Sequence, residues 1–392
     1  MEQDSLWFVR PKPLEDEILS SWIVRLAWAQ GLKLESFCFR SWGRGAQVMS
    51  GDVDLFARHE ILKTLQICTG ASYEQVVNTT FQPLIGTLFY DLPKQSFTSW
   101  ITFLGNRNRV NRDRGLSFCP DCLRQDITPY FRRTWRLAFV TTCLVHKKQL
   151  ICCCPHCDAP VSIDRWDKSK NYMESGHPIT HCQRCRKDRT IRSVGISVQD
   201  NILLNFQWLL ERTLAYGWVN ISGKPIDALL FFRGLLMIVN ILLDRRKTDR
   251  LRIGFLELGK LTNLINEPTK KRRMESLPIS LRSEIMQTLG WLFEDWPHRF
   301  IGLCKQQKFS SSYLFDQAKY NIADVPFWLW EPTYLYLHRR YYAPSNGEID
   351  SAADYLLRTK GELKKGELAK ILGVSWLNKK TLNRYASQFT TK

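Results

Sequence analysis

The sequence predicts a mainly α-helical protein. An N-terminal helix-turn-helix domain comes first, a pair of zinc-ribbon or zinc-finger modules lies in the centre, and a helical C-terminal part ends in a second helix-turn-helix. Three observations carry this. Apolar residues recur at helical spacing on both sides of the centre. Nine of the twelve cysteines fall between Cys119 and Cys185. Lys and Arg total 56 against 38 acids, a formal net charge of +18.

At roughly 100–200 residues per domain, 392 residues make two to four domains. The composition shifts divide the chain into four parts: 1–116, helical with a basic loop; 117–190, the cysteine-rich region; 191–343, helical; and 344–392, a small terminal unit. With 44% hydrophobic residues and 14 Trp, packed cores are expected rather than disorder. Met1–Arg10 holds acids and a Trp where a secretory leader would be basic and then apolar. Ala228–Leu243 is apolar but short and broken by Arg233 and Asn240, so it reads as a buried core helix and no membrane partner is expected. A cytoplasmic location follows, where thiols stay reduced and clustered cysteines point to metal.

Taken in order, Glu15–Gln30 sets Ile18, Trp22, Leu26 and Ala29 on one helical stripe that Gly31 ends, and a shorter helix runs from Leu34 to about Trp42. Leu55–Cys68 is periodic and stops at Thr69-Gly70. Ser72 with Gln75 three residues on is an N-capping pair for a helix through Val77. Helix, tight turn, helix is the DNA-reading pattern, although many helical hairpins share it. Next, Arg107, Arg109, Arg112 and Arg114 alternate with Asn106, Asn108 and Asn111 and lack an apolar stripe. This is a basic loop, either solvated or phosphate-binding, and the planar fork of Arg suits phosphate.

The cysteines form two sets. Cys119-Pro-Asp-Cys122 is followed, after twenty residues, by Cys143-Leu-Val-His146, and Cys154-Pro-His-Cys157, after twenty-four, by Cys182-Gln-Arg-Cys185. Each half-site lets two donors point the same way, and two half-sites complete a tetrahedral zinc shell. Four protein ligands leave no open position for water, so two structural Zn2+ are expected and neither is a reaction centre. Cys152 and Cys153 compete with Cys154. Cys154 is preferred because Cys-Pro-x-Cys repeats the first knuckle.

Beyond the cysteines, Ile202–Tyr216, Asp227–Asp244, Ser283–Asp295 and Ser311–Asn321 carry apolar periodicity with Pro or Gly between them. Lys270–Arg273 is a basic run in a loop. Pro344-Ser-Asn-Gly347 reads as a linker. The terminal unit then offers Lys364–Leu372, a Gly373-Val374-Ser375 turn and a helix to about Ser387. On that helix Lys379, Lys380, Asn383 and Arg384 suit phosphate and base edges; a three-helix interaction module is the plainer alternative. No phosphate-cradling G-x-x-x-x-G-K-[ST] occurs and no two-metal carboxylate site stands out, so an enzyme is not expected.

Several of these residues together resemble the TniQ/TnsD family of transposon target-selection proteins. They are Arg10-Pro-Lys-Pro13, Asp16-Glu17-x-Leu19-x-Ser21-Trp22, Arg25-Leu26-Ala27, Leu65-x-x-Cys68-Thr69-Gly70, Phe118-Cys119-Pro-x-Cys122, the aromatic stretch through Tyr130 and Trp135-Arg136, and Cys143-x-x-His146. The likeness spans about 8–190, with a fainter echo at Leu292–Pro297. It implies a bacterial, non-enzymatic adaptor that recruits the AAA+ ATPase TnsC. On a TniQ of a CRISPR-associated transposon it would dock on a Cascade-type effector complex with its guide RNA, beside target DNA. On a TnsD-like protein it would read an attachment site itself. Related adaptors can dimerise, although no heptad or self-complementary patch stands out here. Residues 8–80 are the expected TnsC surface, with Arg25 and Arg40 as the charges to reverse.

Overall fold

Helix α1, Leu19–Ala29, sits at the centre of the N-terminal half. Its expected stripe is inside, and so is the opposite face: Ser20, Ser21 and Arg25 are buried with Ile18, Trp22 and Leu26. The helix starts four residues later than its periodicity suggests. Asp16 has a left-handed backbone (φ 54°) and Ile18 is extended, because the Ile18 N–H donates to the Phe131 carbonyl. The computed structural model describes residues 5–43, 48–49, 51–92, 98–102, 116–165, 176–191, 197–243, 273–315, 324–338, 344–374 and 385.

Around α1 lie α2 (Leu34–Trp42), α3 (Val53–Phe56), α4 (His59–Thr69) and α5 (Tyr73–Val77). The expected capping pair is present: Ser72 Oγ accepts from Gln75 N–H and Gln75 Oε1 accepts from Ser72 N–H. Helix α6 (Pro120–Gln125) and the two-residue antiparallel strands β1 (Thr142–Cys143) and β2 (Lys148–Gln149) open the cysteine-rich region.

The helical part that follows is built on α7 (Asn201–Tyr216), α8 (Ala228–Leu243) and α9 (Ile279–Glu294), with α10 (His298–Gln306), α11 (Ser311–Leu314) and α12 (Phe327–Leu337) against them. Asp200 caps α7 by accepting from the N–H groups of Ile202 and Leu203. Helices α7 and α9 meet at Gly290, where an added Cβ would come within 2.9 Å of Ile202 Cγ2 and 3.0 Å of Phe206 Cβ; only a residue without a side chain fits that approach. Apolar α8 is a core helix as expected, with Phe231, Phe232, Leu235 and Val239 fully buried and Arg233 turned outward to Asp324. Among the described residues no helix is long and apolar enough to cross a membrane. One element was not expected: β3 (Trp218–Ile221) and β4 (Lys224–Asp227) form a hairpin between α7 and α8. Its two-residue turn places both Ser222 and Gly223 at positive φ, the primed geometry that matches strand twist.

One hydrophobic core runs from Ile18 to Leu337 and crosses the expected boundaries at 116/117 and 190/191 without a break. The chain divides instead into two compact units, Met1–Leu337 and His338–Lys392. In the second unit, α13 (Asn346–Lys360) and α14 (Lys365–Ile371) bury Ile349, Ala353, Leu356 and Leu368 with Tyr385, whose hydroxyl donates to Asp350. The expected linker is the start of a helix: Ser345 caps α13 in a capping box with Glu348, and Asn346 and Gly347 are its first residues.

Candidate metal centres

Each half-site is a local consequence of its sequence. Cys119 precedes α6 and Pro120 starts it, so Cys122 falls in the first turn beside Cys119. Cys143 ends β1, and His146 lies in the turn before Lys147, whose φ is 50°. The other knuckles close the same way, with Asp158 (φ 55°) after Cys157 and Arg186 (φ 62°) after Cys185. In each of these three, a backbone N–H is aimed at the first sulfur: His146 to Cys143 at 3.4 Å, His156 to Cys154 at 3.4 Å and Arg184 to Cys182 at 3.3 Å. Such donors favour the thiolate over the thiol.

The half-sites converge as predicted in two groups: Cys119, Cys122, Cys143 and His146; and Cys154, Cys157, Cys182 and Cys185. Within each group the donor atoms lie within 4.8 Å of one another. Cys122 Sγ is 3.5 Å from Cys143 Sγ and 3.3 Å from His146 Nδ1, and Cys119 and Cys143 are each 3.5 Å from that nitrogen. In the second group Cys154 Sγ is 3.7 Å from Cys185 Sγ, and Cys157 is 3.6 Å from Cys182. A tetrahedral ion with about 2.3 Å bonds to sulfur and about 2.0 Å to nitrogen has edges of about 3.5–3.8 Å. Both groups can therefore hold a metal ion. The second converges on Cys154, with Cys152 and Cys153 outside it and 3.9 Å from each other.

The electrostatics of the donors fit a cation. Hydrogen bonds from Cys119 and Cys122 push the Cys143 thiol far below the ordinary thiol range, while contacts with Cys119 and Cys143 push Cys122 up. Burial would raise Cys182, but the N–H groups of Cys185 and Arg184 outweigh it and bring that thiol down to about 7. Crowded thiols share protons unevenly, and a divalent ion lets all of them ionise.

Neighbours orient the first group. His146 Nε2–H donates to Gln125 Oε1 at 2.8 Å, which leaves Nδ1 to face the sulfurs. Asp121 receives Lys148 Nζ at 2.6 Å and the Arg124 guanidinium. Gln207 of α7 reaches the strand that carries Cys143: its Oε1 accepts from Thr141 and Thr142 N–H at 3.0 and 3.1 Å, and its Nε2 donates to Thr142 O and Glu211.

A buried ionic scaffold fastens the N-terminal helices to the segment between the two half-sites of the first group. Arg136, 1% exposed, binds Asp52 Oδ1 and Oδ2 at 2.7 and 2.6 Å and Asp54 Oδ2 at 2.8 Å. Asp54 also takes Ser20 N–H and the Ser20 hydroxyl. Glu17 grips Arg25 at 2.6 and 2.7 Å and accepts from the Ser21 hydroxyl, which in turn accepts from Phe131 N–H. The Arg136 contacts with Asp52 and Asp54, the Ser20–Asp54 contacts and the Ser21–Phe131 bond are not legible from spacing, because each pairs residues far apart in the chain. Arg25 is therefore an interior residue; reversing its charge would unfold the domain rather than probe a docking surface, and exposed Arg40 alone serves that purpose.

The predicted nucleic-acid contacts are not placed. Arg107, Arg109, Arg112, Arg114, Lys379, Lys380, Asn383 and Arg384 lie outside the described residues, as do Lys270–Arg272. In the 54–80 helical pair the second helix, α5, is five residues long and carries Glu74 and no basic side chain.

No curated protein matches the chain. The family model TniQ matches residues 8–150. That stretch takes in α1–α5, the ionic scaffold and the whole first cysteine–histidine group. Residues 8–150 of the chain thus carry a TniQ domain.

Proposed function

We propose that this protein selects targets for transposition by linking an RNA-guided CRISPR effector complex, or the target DNA beside it, to the AAA+ ATPase TnsC, and so recruits the transposase. The carrying observation is the TniQ match over 8–150. Its four-ligand groups are closed, which suits holding surfaces in place rather than catalysis. In this reading each group holds one structural Zn2+, the protein itself cuts no DNA, and residues 8–80 carry the TnsC surface.

A second reading, a TnsD-like protein that reads an attachment site directly, draws on the net charge of +18 and on the basic residues Lys379, Lys380, Asn383 and Arg384 near the C-terminus. A gel-shift series with purified protein separates the two. The adaptor reading expects weak, sequence-indifferent DNA binding that falls steeply with salt. Preference for one sequence by about a thousandfold or more over random DNA would establish the reader instead. Co-purification with TnsC and with the effector complex tests the adaptor's partners, and an R40E variant that recruits TnsC normally would move the docking surface away from α2. Elemental mass spectrometry on undenatured protein should find close to two zinc ions per chain.

A further inference from the structure

Arg189 lies in the second cysteine group's own hairpin, and its partners do not account for it. The side chain is 1% exposed, among the most deeply buried in the molecule. One guanidinium nitrogen donates to the His181 carbonyl. The other two, Nε and Nη1, are buried without a hydrogen-bond partner, and the guanidinium lies over the Phe118 ring, 5.9 Å from its centroid. The neighbouring carboxylate, Asp188, instead accepts from the N–H and hydroxyl of Thr190, both at 2.7 Å. A buried cation with no paired anion costs several kcal/mol, so its counter-charge has to be sought nearby.

The backbone returns it beside the segment that carries Cys182. Cys182 N–H donates to Lys187 O and Arg189 N–H to Thr180 O, so the chain doubles back after Cys185 and returns Arg189 alongside the knuckle. Burial pulls the guanidinium below its usual range, and the charges of Cys182, Cys154, Asp188 and Cys185 hold it up. A divalent ion bound by four thiolates is a dianion. The first group, with an imidazole in place of one sulfur, is only a monoanion.

We propose that Arg189 is the charge-compensating partner of a tetrathiolate metal centre at Cys154, Cys157, Cys182 and Cys185. Its buried positive charge, with two guanidinium nitrogens left without hydrogen-bond partners, offsets the negative charge of the four sulfurs. It is a positioning residue and not a ligand. The proposal rests on the zinc reading above. It adds that the second site, unlike the first, needs a protein cation for full affinity.

Cobalt titration of the full-length chain tests this, because a tetrathiolate set and a set with one imidazole give different ligand-field bands and report the two sites separately. Wild-type protein should take up two Co2+. R189M should weaken the tetrathiolate site by about 10–100-fold, the range for losing an outer partner, with the band of the imidazole-containing site unchanged. R189K, which keeps the charge, should retain most of the affinity. Unaltered tetrathiolate affinity in R189M overturns the proposal, and so does an R189K as weak as R189M, since shape rather than charge would then matter. If R189M unfolds the chain both bands vanish; R189K then decides, by keeping or losing the tetrathiolate site while the other band persists. A wild-type chain that takes up no second ion defeats the metal reading itself, and this one with it.

Discussion

The two cysteine groups share knuckle geometry but not surroundings. Cys119, Cys122 and Cys143 of the first belong to the main hydrophobic core with Phe118, Phe131 and Leu150. In the second, Cys154, Cys182 and Ala159 form a small cluster of their own, with Cys157 and Cys185 only partly buried against it. The first group is held together by the protein as well as by any ion. The sulfurs of the second stand outside that core, although Val161, Ile163 and Ile179 of the same segment reach it. A metal site can thus be a rivet in a wall that already stands, or the tie that holds a flap closed.

The largest expected effect follows from that contrast. Removing the second ion, by chelation or by C182S, should open residues 152–191 to protease while most helical structure is retained, since structural zinc contributes on the order of 10 kcal/mol to such sites. Limited proteolysis with mass mapping and far-UV circular dichroism would show it. Equal opening of both groups would erase the distinction. Next in size, R136M leaves Asp54 buried and unpaired and should destabilise the N-terminal half by about 3–5 kcal/mol in chemical denaturation. It should also loosen the first ion and spare the second.

A smaller effect is expected from Q207L, which strips partners from the N–H groups of Thr141 and Thr142. A cost of about 1–3 kcal/mol should follow, with faster release to a chelator from the Cys143 site alone. The smallest is a pH effect at Glu211. Burial pushes its carboxyl from the ordinary 4.5 up to about 7, against the lowering by its hydrogen bond with Gln207. The folded state therefore binds the proton more tightly. That contribution is complete below about pH 4.5 and is lost as pH rises through about 7. E211Q should be more stable than wild type at pH 8 and equal to it well below pH 4.5, measured by denaturant midpoints across pH.

Much of the two donor groups can be read from the sequence because their information is local. Two-residue gaps bring donors together whatever the rest of the chain does, and the capping pair at Ser72 and Gln75 is equally short-range. Helices α7, α8 and α9 were also visible through periodicity. The β3–β4 hairpin was overlooked although its signals were present: Trp-Val-Asn-Ile alternates, and Ser222-Gly223 is a turn pair. The contacts that weld the TniQ domain were not legible in principle. Ser20, Asp54 and Arg136 look like surface residues of three separate segments, and only the fold gives each a buried partner. The same holds for Arg189, which reads as one more cation in a basic stretch.

The clamp between Asp54 and Arg136 spans 82 positions of chain. During synthesis the N-terminal helices emerge first, with Asp54 destined for the interior but its counter-ion not yet made. At roughly 5–20 residues per second, about 4–16 s separate the two residues at the ribosome. For that interval α1 lacks the segment whose Phe131 N–H donates to Ser21. A nascent TniQ domain is thus unable to finish folding as a helical module and add its metal-binding part later. Its buried clamp cannot form until Arg136 has emerged, with Cys143 and His146 close behind it.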